Sequence, residues 1–157
     1  MLRTSAPLIG ALGVIKMGTI RRLRIATSLV LLICFVLPMS KCTTREKDGS
    51  VSFDYQFPFE NITNGIKAIH SDGLLGADSS PLIFATLIVF FSPIGLLQLS
   101  GRTQSILHIC LGIPAEWLLY YWTTVGQPQI GGLLSMASWG LLMALGLISL
   151  RATKNAA

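Results

Sequence analysis

The run IGGLLSMASWGLLMALGLISL, residues 130–150, contains no charged side chain. A helix needs about 20 predominantly apolar residues to cross the hydrocarbon core of a bilayer. The run therefore predicts a membrane-spanning helix, and it places the chain among membrane proteins before any other feature is considered.

Three other apolar runs precede it. Residues 81–99 and 106–125 are about as long, and the turns 100–105 and 126–129 are so short that consecutive helices must be antiparallel neighbours. The run within 25–40 is shorter, at about 15 residues or roughly 22 Å of helix. It predicts a first transmembrane helix or a signal anchor, and we expect an uncleaved anchor.

These four runs predict an all-α membrane protein with four transmembrane helices in an antiparallel bundle. The composition agrees, since 52% of the 157 residues are hydrophobic and only 12% are charged. Those fractions exclude an ordinary soluble domain.

Charge predicts the orientation of the chain. All but one of the 7 acidic residues lie in 41–80, whereas the flanks 1–24 and 151–157 are basic. Because Lys and Arg are retained in the cytoplasm, both termini are expected there, with 41–80 as an extracytoplasmic loop of roughly 40 residues. Met17 is followed closely by a basic, signal-like stretch and is a candidate for the true start.

The basic residues do not indicate nucleic-acid binding. The net charge is +5, but no pattern of interleaved aromatic residues or glycines marks a binding surface. We interpret the basic residues as orientation signals and contacts for anionic lipid.

The loop 41–80 contains two periodic segments. Residues 51–57 alternate apolar and polar side chains, which predicts a strand that must pair with another chain, lie on the membrane surface, or be a misreading. Ile62, Ile66 and Ile69 recur at helical spacing and predict an amphipathic helix at the interface.

The three cysteines, Cys34, Cys42 and Cys110, form no CxxC pair and have no histidine at metal-ligand spacing. No metal site and no cofactor are expected. Cys42 resembles the lipidated residue of a lipoprotein signal, but Lys41 occupies the place of the small residue that such a signal needs, so lipidation is not favoured.

Glu116 is the one acidic residue inside an apolar run. An ionised carboxylate near the centre of a bilayer costs roughly 2.5 to 3.5 kcal/mol, so Glu116 is expected to be protonated or paired. His108 lies two turns away on a similar face, with Gly112 between them. This stripe predicts either a proton path or a polar helix contact.

Two prolines are expected to kink adjacent helices beside Glu116. Pro114 frees the carbonyl of Cys110, and Pro93 frees that of Val89. Kinks at equal depth predict a widening next to Glu116. The hydrogen-bond partners expected for Glu116 there are Ser92, Ser135, Ser138 and the Trp139 indole.

Small residues at four-residue spacing predict a packing face on the last helix. The pairs are Gly131 with Ser135 and Gly140 with Ala144.

No nucleotide-binding glycine loop, hydrolase serine motif, metal cluster or catalytic acid pair is present, so an enzyme is the least supported class.

The sequence favours a non-enzymatic accessory or assembly subunit of a larger membrane complex, with the lipid bilayer and a membrane-protein partner or a second copy as contacts. The alternative is a small oligomeric proton-linked transporter or channel that uses Glu116. A weaker alternative is a membrane thiol or haem protein using Cys42 or His108. The expected location is a bacterial inner membrane.

Overall fold

The computed structural model describes residues 17–45, 50–72, 80–99 and 101–155. Residues 1–16, and with them the prediction of a start at Met17, lie outside these ranges. The elements along the chain are α1 (Met17–Cys34), β1 (Ser40–Arg45), β2 (Val51–Gln56), α2 (Pro58–Asp72), α3 (Ser80–Leu96), α4 (Gly101–Thr124), β3 (Gln127–Pro128) and α5 (Ile130–Asn155).

The prediction of an all-α protein with four transmembrane helices is wrong. The strands form a three-stranded sheet. Among the described helices, only the segment Ile130–Thr153 of α5 is long and apolar enough to cross a membrane. The apolar part of α3, Pro81–Leu96, is roughly 24 Å long, less than the ~30 Å of hydrocarbon.

The other two predicted spans, α1 and α4, are too polar to count as membrane-spanning helices. α1 begins at Met17 and includes Arg21, Arg22 and Arg24, while α4 includes Arg102 and several other polar side chains. The multi-pass assignment and the placement of both termini in the cytoplasm depended on four crossings, so they lose their basis.

The alternating residues of β2 find their partner within the same chain. β1 pairs antiparallel with β2, from Ser40 opposite Gln56 to Arg45 opposite Val51, and with β3 on its other side. The Lys41 ammonium lies 3.7 Å from the centre of the Phe53 ring, a cation–π contact across the hairpin. None of the three sequence interpretations anticipated a partner strand in this loop.

The predicted amphipathic helix is part of α2. Pro58 occupies its first position, where a missing N–H costs nothing. The Phe57 N–H donates to Glu60 Oε2 at 3.3 Å, and the Glu60 N–H donates to the Phe57 carbonyl at 3.1 Å, which closes the first turn. α2 packs on α3, with Ile62 and Ile69 half-buried and Ile66 exposed.

The start of α5 is held by hydrogen bonds to Pro38 and Met39, which directly precede β1. The Gln129 N–H donates to the Met39 carbonyl at 3.1 Å, and the Gly131 N–H donates to the Pro38 carbonyl at 3.2 Å. These bonds satisfy donors that a helix start otherwise leaves open. The approach is so close that a Cβ at Gly131 would lie 2.6 Å from the Pro38 oxygen, and one at Gly132 would lie 2.8 Å from the Met39 oxygen.

The helices pack around α5, which contacts both α4 and α1. The hydrophobic core joins side chains from α1, α3, α4 and α5 and is centred on the fully buried Trp139. Its other large members are Leu31, Phe90, Leu119 and Leu142.

Polar side chains are buried in this bundle while many large apolar side chains are exposed. The buried polar residues include Arg24, Ser28, Thr86, Gln104, Ser105, His108, Ser135 and Ser138. The exposed apolar residues occur on α1, α3, α4 and α5 and include Ile33 (59%), Phe84 (59%), Ile113 (64%), Trp117 (75%) and Leu133 (57%).

We expect Gly132→Ala to destabilise the protein, because its Cβ would lie 2.5 Å from Thr123 Oγ1 as well as against the Met39 oxygen. Overpacking of this kind costs about 1 to 3 kcal/mol. The matched control is Gly95→Ala in α3, where no atom lies within 4 Å of the added Cβ; it should be neutral or gain up to ~1 kcal/mol of helix propensity. Thermal unfolding of the two variants provides the measurement, and equal melting temperatures would contradict the close approach.

Candidate functional site

Glu116 and His108 lie in different surroundings although both belong to α4. Gly112, between them, faces α5: a Cβ there would collide with the Met143 side chain and lie 3.4 Å from Trp139 Cε3. Within the described residues no hydrogen bond joins Glu116 to His108. The surface between the two is therefore covered by apolar side chains of α5.

Glu116 lies at an open groove of about 760 Å³. Its Oε1 atom would be 3.5 Å from a Cβ at Gly140, so the carboxyl group rests against the backbone of α5. The groove is formed by α4 and α5, and neither Ser92 nor Pro93 of α3 lines it. Its other lining residues are Ile113, Pro114, Trp117, Tyr120, Met136 and Met143.

Trp139 bonds to α3 rather than to Glu116. Its indole Nε1–H donates to the carbonyl oxygen of Val89 at 3.0 Å. That carbonyl is available because Pro93 has no N–H to donate to it. The sequence indicated the free carbonyl and the indole donor separately; their pairing is visible only in the fold.

The remaining expected site residues are dispersed. The Ser92 hydroxyl is buried without a partner among the described side chains. Ser135 Oγ donates to the Gly131 carbonyl at 2.8 Å, and Ser138 is buried. Ala144 of the predicted packing face is exposed. Cys42 is half-buried on β1, with its sulfur 3.6 Å from Gln56 Nε2.

Arg24 forms a buried polar centre that the sequence interpretation did not predict. Its side chain is 5% exposed. Nη1 donates to Gln104 Oε1 at 2.7 Å, and Nη2 donates to Ser105 Oγ at 2.9 Å and to the Leu145 carbonyl at 3.3 Å. These contacts join α1 to the first turns of α4 and to the second half of α5.

All three acceptors of Arg24 are neutral. An arginine side chain carries five N–H donors, so three bonds leave donors to spare, and Nε is buried without a partner in the described part of the chain. The carboxylates with described side chains belong to Asp54, Glu60 and Glu116, and none contacts Arg24. Among the described residues, the guanidinium charge is thus stabilised by neutral dipoles and by no carboxylate.

His108 adjoins the same centre. Its Nδ1 lies 2.8 Å from the Gln104 carbonyl oxygen, and because a carbonyl only accepts, Nδ1 carries the proton. Nε2 is then an acceptor, buried and without a partner in the ranges described. Gln104 therefore connects His108, through its backbone, to Arg24, through its side chain.

A cavity of about 520 Å³ opens beside Arg24. The residues that line it come from the first half of α1, the turn that follows α3, the start of α4 and the end of α5. They are Ile20, Arg21, Arg24, Ile25, Leu97, Gln98, Leu99, Gly101, Gln104 and Ser149. Two of them are arginines and none is acidic.

A signal for this centre exists in the sequence. Arg24 and Ser28 are four residues apart in α1, and Gln104, Ser105 and His108 share one face of α4. Two polar faces on otherwise apolar helices indicate mutual contact. The sequence interpretation instead placed Arg24 among the basic residues that act as orientation signals and contacts for anionic lipid, and it did not predict its burial.

Neither a metal site nor similarity to a known protein identifies what this site does. In residues 17–45, 50–72, 80–99 and 101–155 no group of three His, Cys, Asp or Glu side chains is close enough to hold a metal ion. No protein-family model, curated protein or solved structure matches the chain.

We expect Trp139→Phe to lower stability by about 1 to 2 kcal/mol, since it keeps an aromatic ring but leaves the Val89 carbonyl without its donor. Trp117→Phe, at a position 75% exposed, should change little. Pro93→Ala supplies a backbone N–H to the same carbonyl. The loss of stability caused by Trp139→Phe should therefore be smaller when Pro93→Ala is also present. Melting temperatures of the single and double variants measure the coupling, and strict additivity would contradict it.

Proposed function

We propose that the protein is a non-enzymatic accessory subunit of a membrane complex, anchored by α5. The observation that carries the proposal is the large number of exposed apolar side chains on α1, α3, α4 and α5. Contiguous apolar surface is uncommon on soluble monomers and marks contact with lipid or with another protein.

The groove beside Glu116 supports a protein partner. Trp117 and Tyr120 line this groove and are 75% and 55% exposed. The next residue of α4, Tyr121, is 61% exposed. Tryptophan and tyrosine are enriched among the residues that dominate binding energy at interfaces. Their hydroxyl and indole groups also suit the boundary between lipid and water.

The transporter alternative receives no comparable support. It needs Glu116 and His108 to act in sequence, yet apolar side chains of α5 cover the surface between them. It therefore stays a prediction of the sequence, as does the bacterial inner membrane as the location.

Anchoring by α5 is tested with Leu141→Arg. Leu141 is 43% exposed near the middle of Ile130–Thr153, where an arginine costs roughly 2.5 to 3.5 kcal/mol on insertion scales. We expect the wild-type protein to stay in the membrane pellet after alkaline carbonate extraction, and the variant to be depleted from it. Thr153→Arg, beside Arg151 at the end of the span, is the control and should be retained. Wild-type protein in the supernatant would overturn the anchor.

A partner is tested by purifying the tagged protein from its native membranes in mild detergent. We expect one membrane protein to co-purify at near-equal stoichiometry, and Trp117→Ala to reduce its recovery several-fold without lowering the stability of the isolated chain. Leu29→Ala, at an exposed apolar position of α1, is the control and should leave recovery unchanged. A clean homo-oligomer would contradict the accessory role and favour the transporter alternative.

A further inference from the structure

The cavity beside Arg24 combines a buried cation with spare hydrogen-bond donors, and no carboxylate of the described residues pairs with that cation. A buried charge is costly unless it is paired, and dipoles alone compensate for it only in part. Arg24 is 5% exposed, its three bonds reach neutral acceptors, and its Nε has no partner within the described residues. The electrostatic potential of the cavity therefore favours the binding of an anion.

Two further features increase the positive potential there. Arg21 lines the same cavity from one turn earlier in α1. Gly101, at the start of the 24-residue helix α4, lines it as well, as does Gln104 one turn later. The N-terminus of a helix presents free N–H groups and a partial positive charge to anions.

We propose that this cavity binds a phosphate-bearing anion and that Arg24 is the residue that pairs with it. Arginine presents planar donors that suit phosphate oxygens. A volume of about 520 Å³ exceeds what a bare phosphate fills.

Part of the wall is apolar, through Ile20, Ile25, Leu97 and Leu99, and the polar Gln98, Gln104 and Ser149 complete it. A ligand that carries both a phosphate and an apolar portion matches the arginines and the apolar residues of the cavity. The headgroup region of an anionic phospholipid is such a ligand. The same oxyanion chemistry is shared by free inorganic phosphate, and the experiment separates the two sources. The inference stands apart from the accessory role, because it rests on the burial of Arg24 and its unpaired Nε and not on any protein partner.

The test uses the full chain in mild detergent with three probes: dihexanoyl phosphatidylglycerol, dihexanoyl phosphatidylcholine and inorganic phosphate. We expect phosphatidylglycerol to raise the melting temperature by several degrees at ligand concentrations about 100-fold above Kd. Phosphatidylcholine should have no such effect, since its zwitterionic headgroup brings no net negative charge. An equal rise with inorganic phosphate would identify the free anion as the ligand, and a rise with phosphatidylglycerol alone would identify the lipid headgroup.

Arg24→Gln should weaken binding at least ~10-fold, because a hydrogen bond to a charged group contributes about 1.5 to 3 kcal/mol. Arg22→Gln is the matched control: it removes the same charge from the same helix at an exposed position that does not line the cavity. Ser149→Leu fills the cavity from α5 and leaves every bond of Arg24 in place, so it tests the site even where Arg24→Gln fails to fold.

Three results would overturn the proposal. One is an unchanged melting temperature of the wild-type protein with both anionic probes. Another is equal stabilisation by phosphatidylcholine, which would assign binding to the apolar wall. The third is undiminished binding in Arg24→Gln, or in Ser149→Leu should Arg24→Gln not fold.

Discussion

The hydrogen bond from the Trp139 indole to the Val89 carbonyl is the interaction on which the arrangement of the helices depends. Trp139 is the largest fully buried side chain, and it lies in the middle of α5, the helix that packs on both α1 and α4. The bond attaches α3 to this centre at the point where Pro93 leaves a carbonyl open. A proline that would weaken an isolated helix thereby provides an acceptor that a neighbouring helix uses.

The sequence predicted the apolar segments well, because uninterrupted apolar runs are a strong signal for helices. α3, α4 and α5 lie on three of those runs. The signal was misleading about membrane crossing, since apolar character alone does not distinguish a helix that spans a bilayer from one that is too short or carries buried polar groups. Arg24 shows the difficulty: its acceptors Gln104, Ser105 and Leu145 are 80 to 121 positions away, so the polar faces of α1 and α4 can be seen in the sequence but the individual bonds cannot.

The sheet was missed for a related reason. β2 alternates apolar and polar residues and was recognised as a strand, but β1, with the sequence SKCTTR, has no such alternation. Its pairing follows from the position of the chain after α1 and from the Lys41 contact with the Phe53 ring, both of which are properties of the folded chain. Among the candidate site residues, Glu116 and His108 were noticed because each is unusual in an apolar run, and their different surroundings depend on which face of α4 meets α5.

The strand β1 has two neighbours that differ greatly in their distance along the chain. Its pairing with β2 closes a local hairpin, whereas its pairing with β3 joins Ser40 to Pro128. Closing a longer loop costs more entropy, and contacts between distant segments form slowly. Loop-closure entropy therefore favours the hairpin of β1 and β2 as the earlier of the two pairings, with β3 and the start of α5 joining later. One six-residue strand thus joins a local hairpin to the start of the last helix, and its two edges differ in the length of chain that must be ordered to complete them.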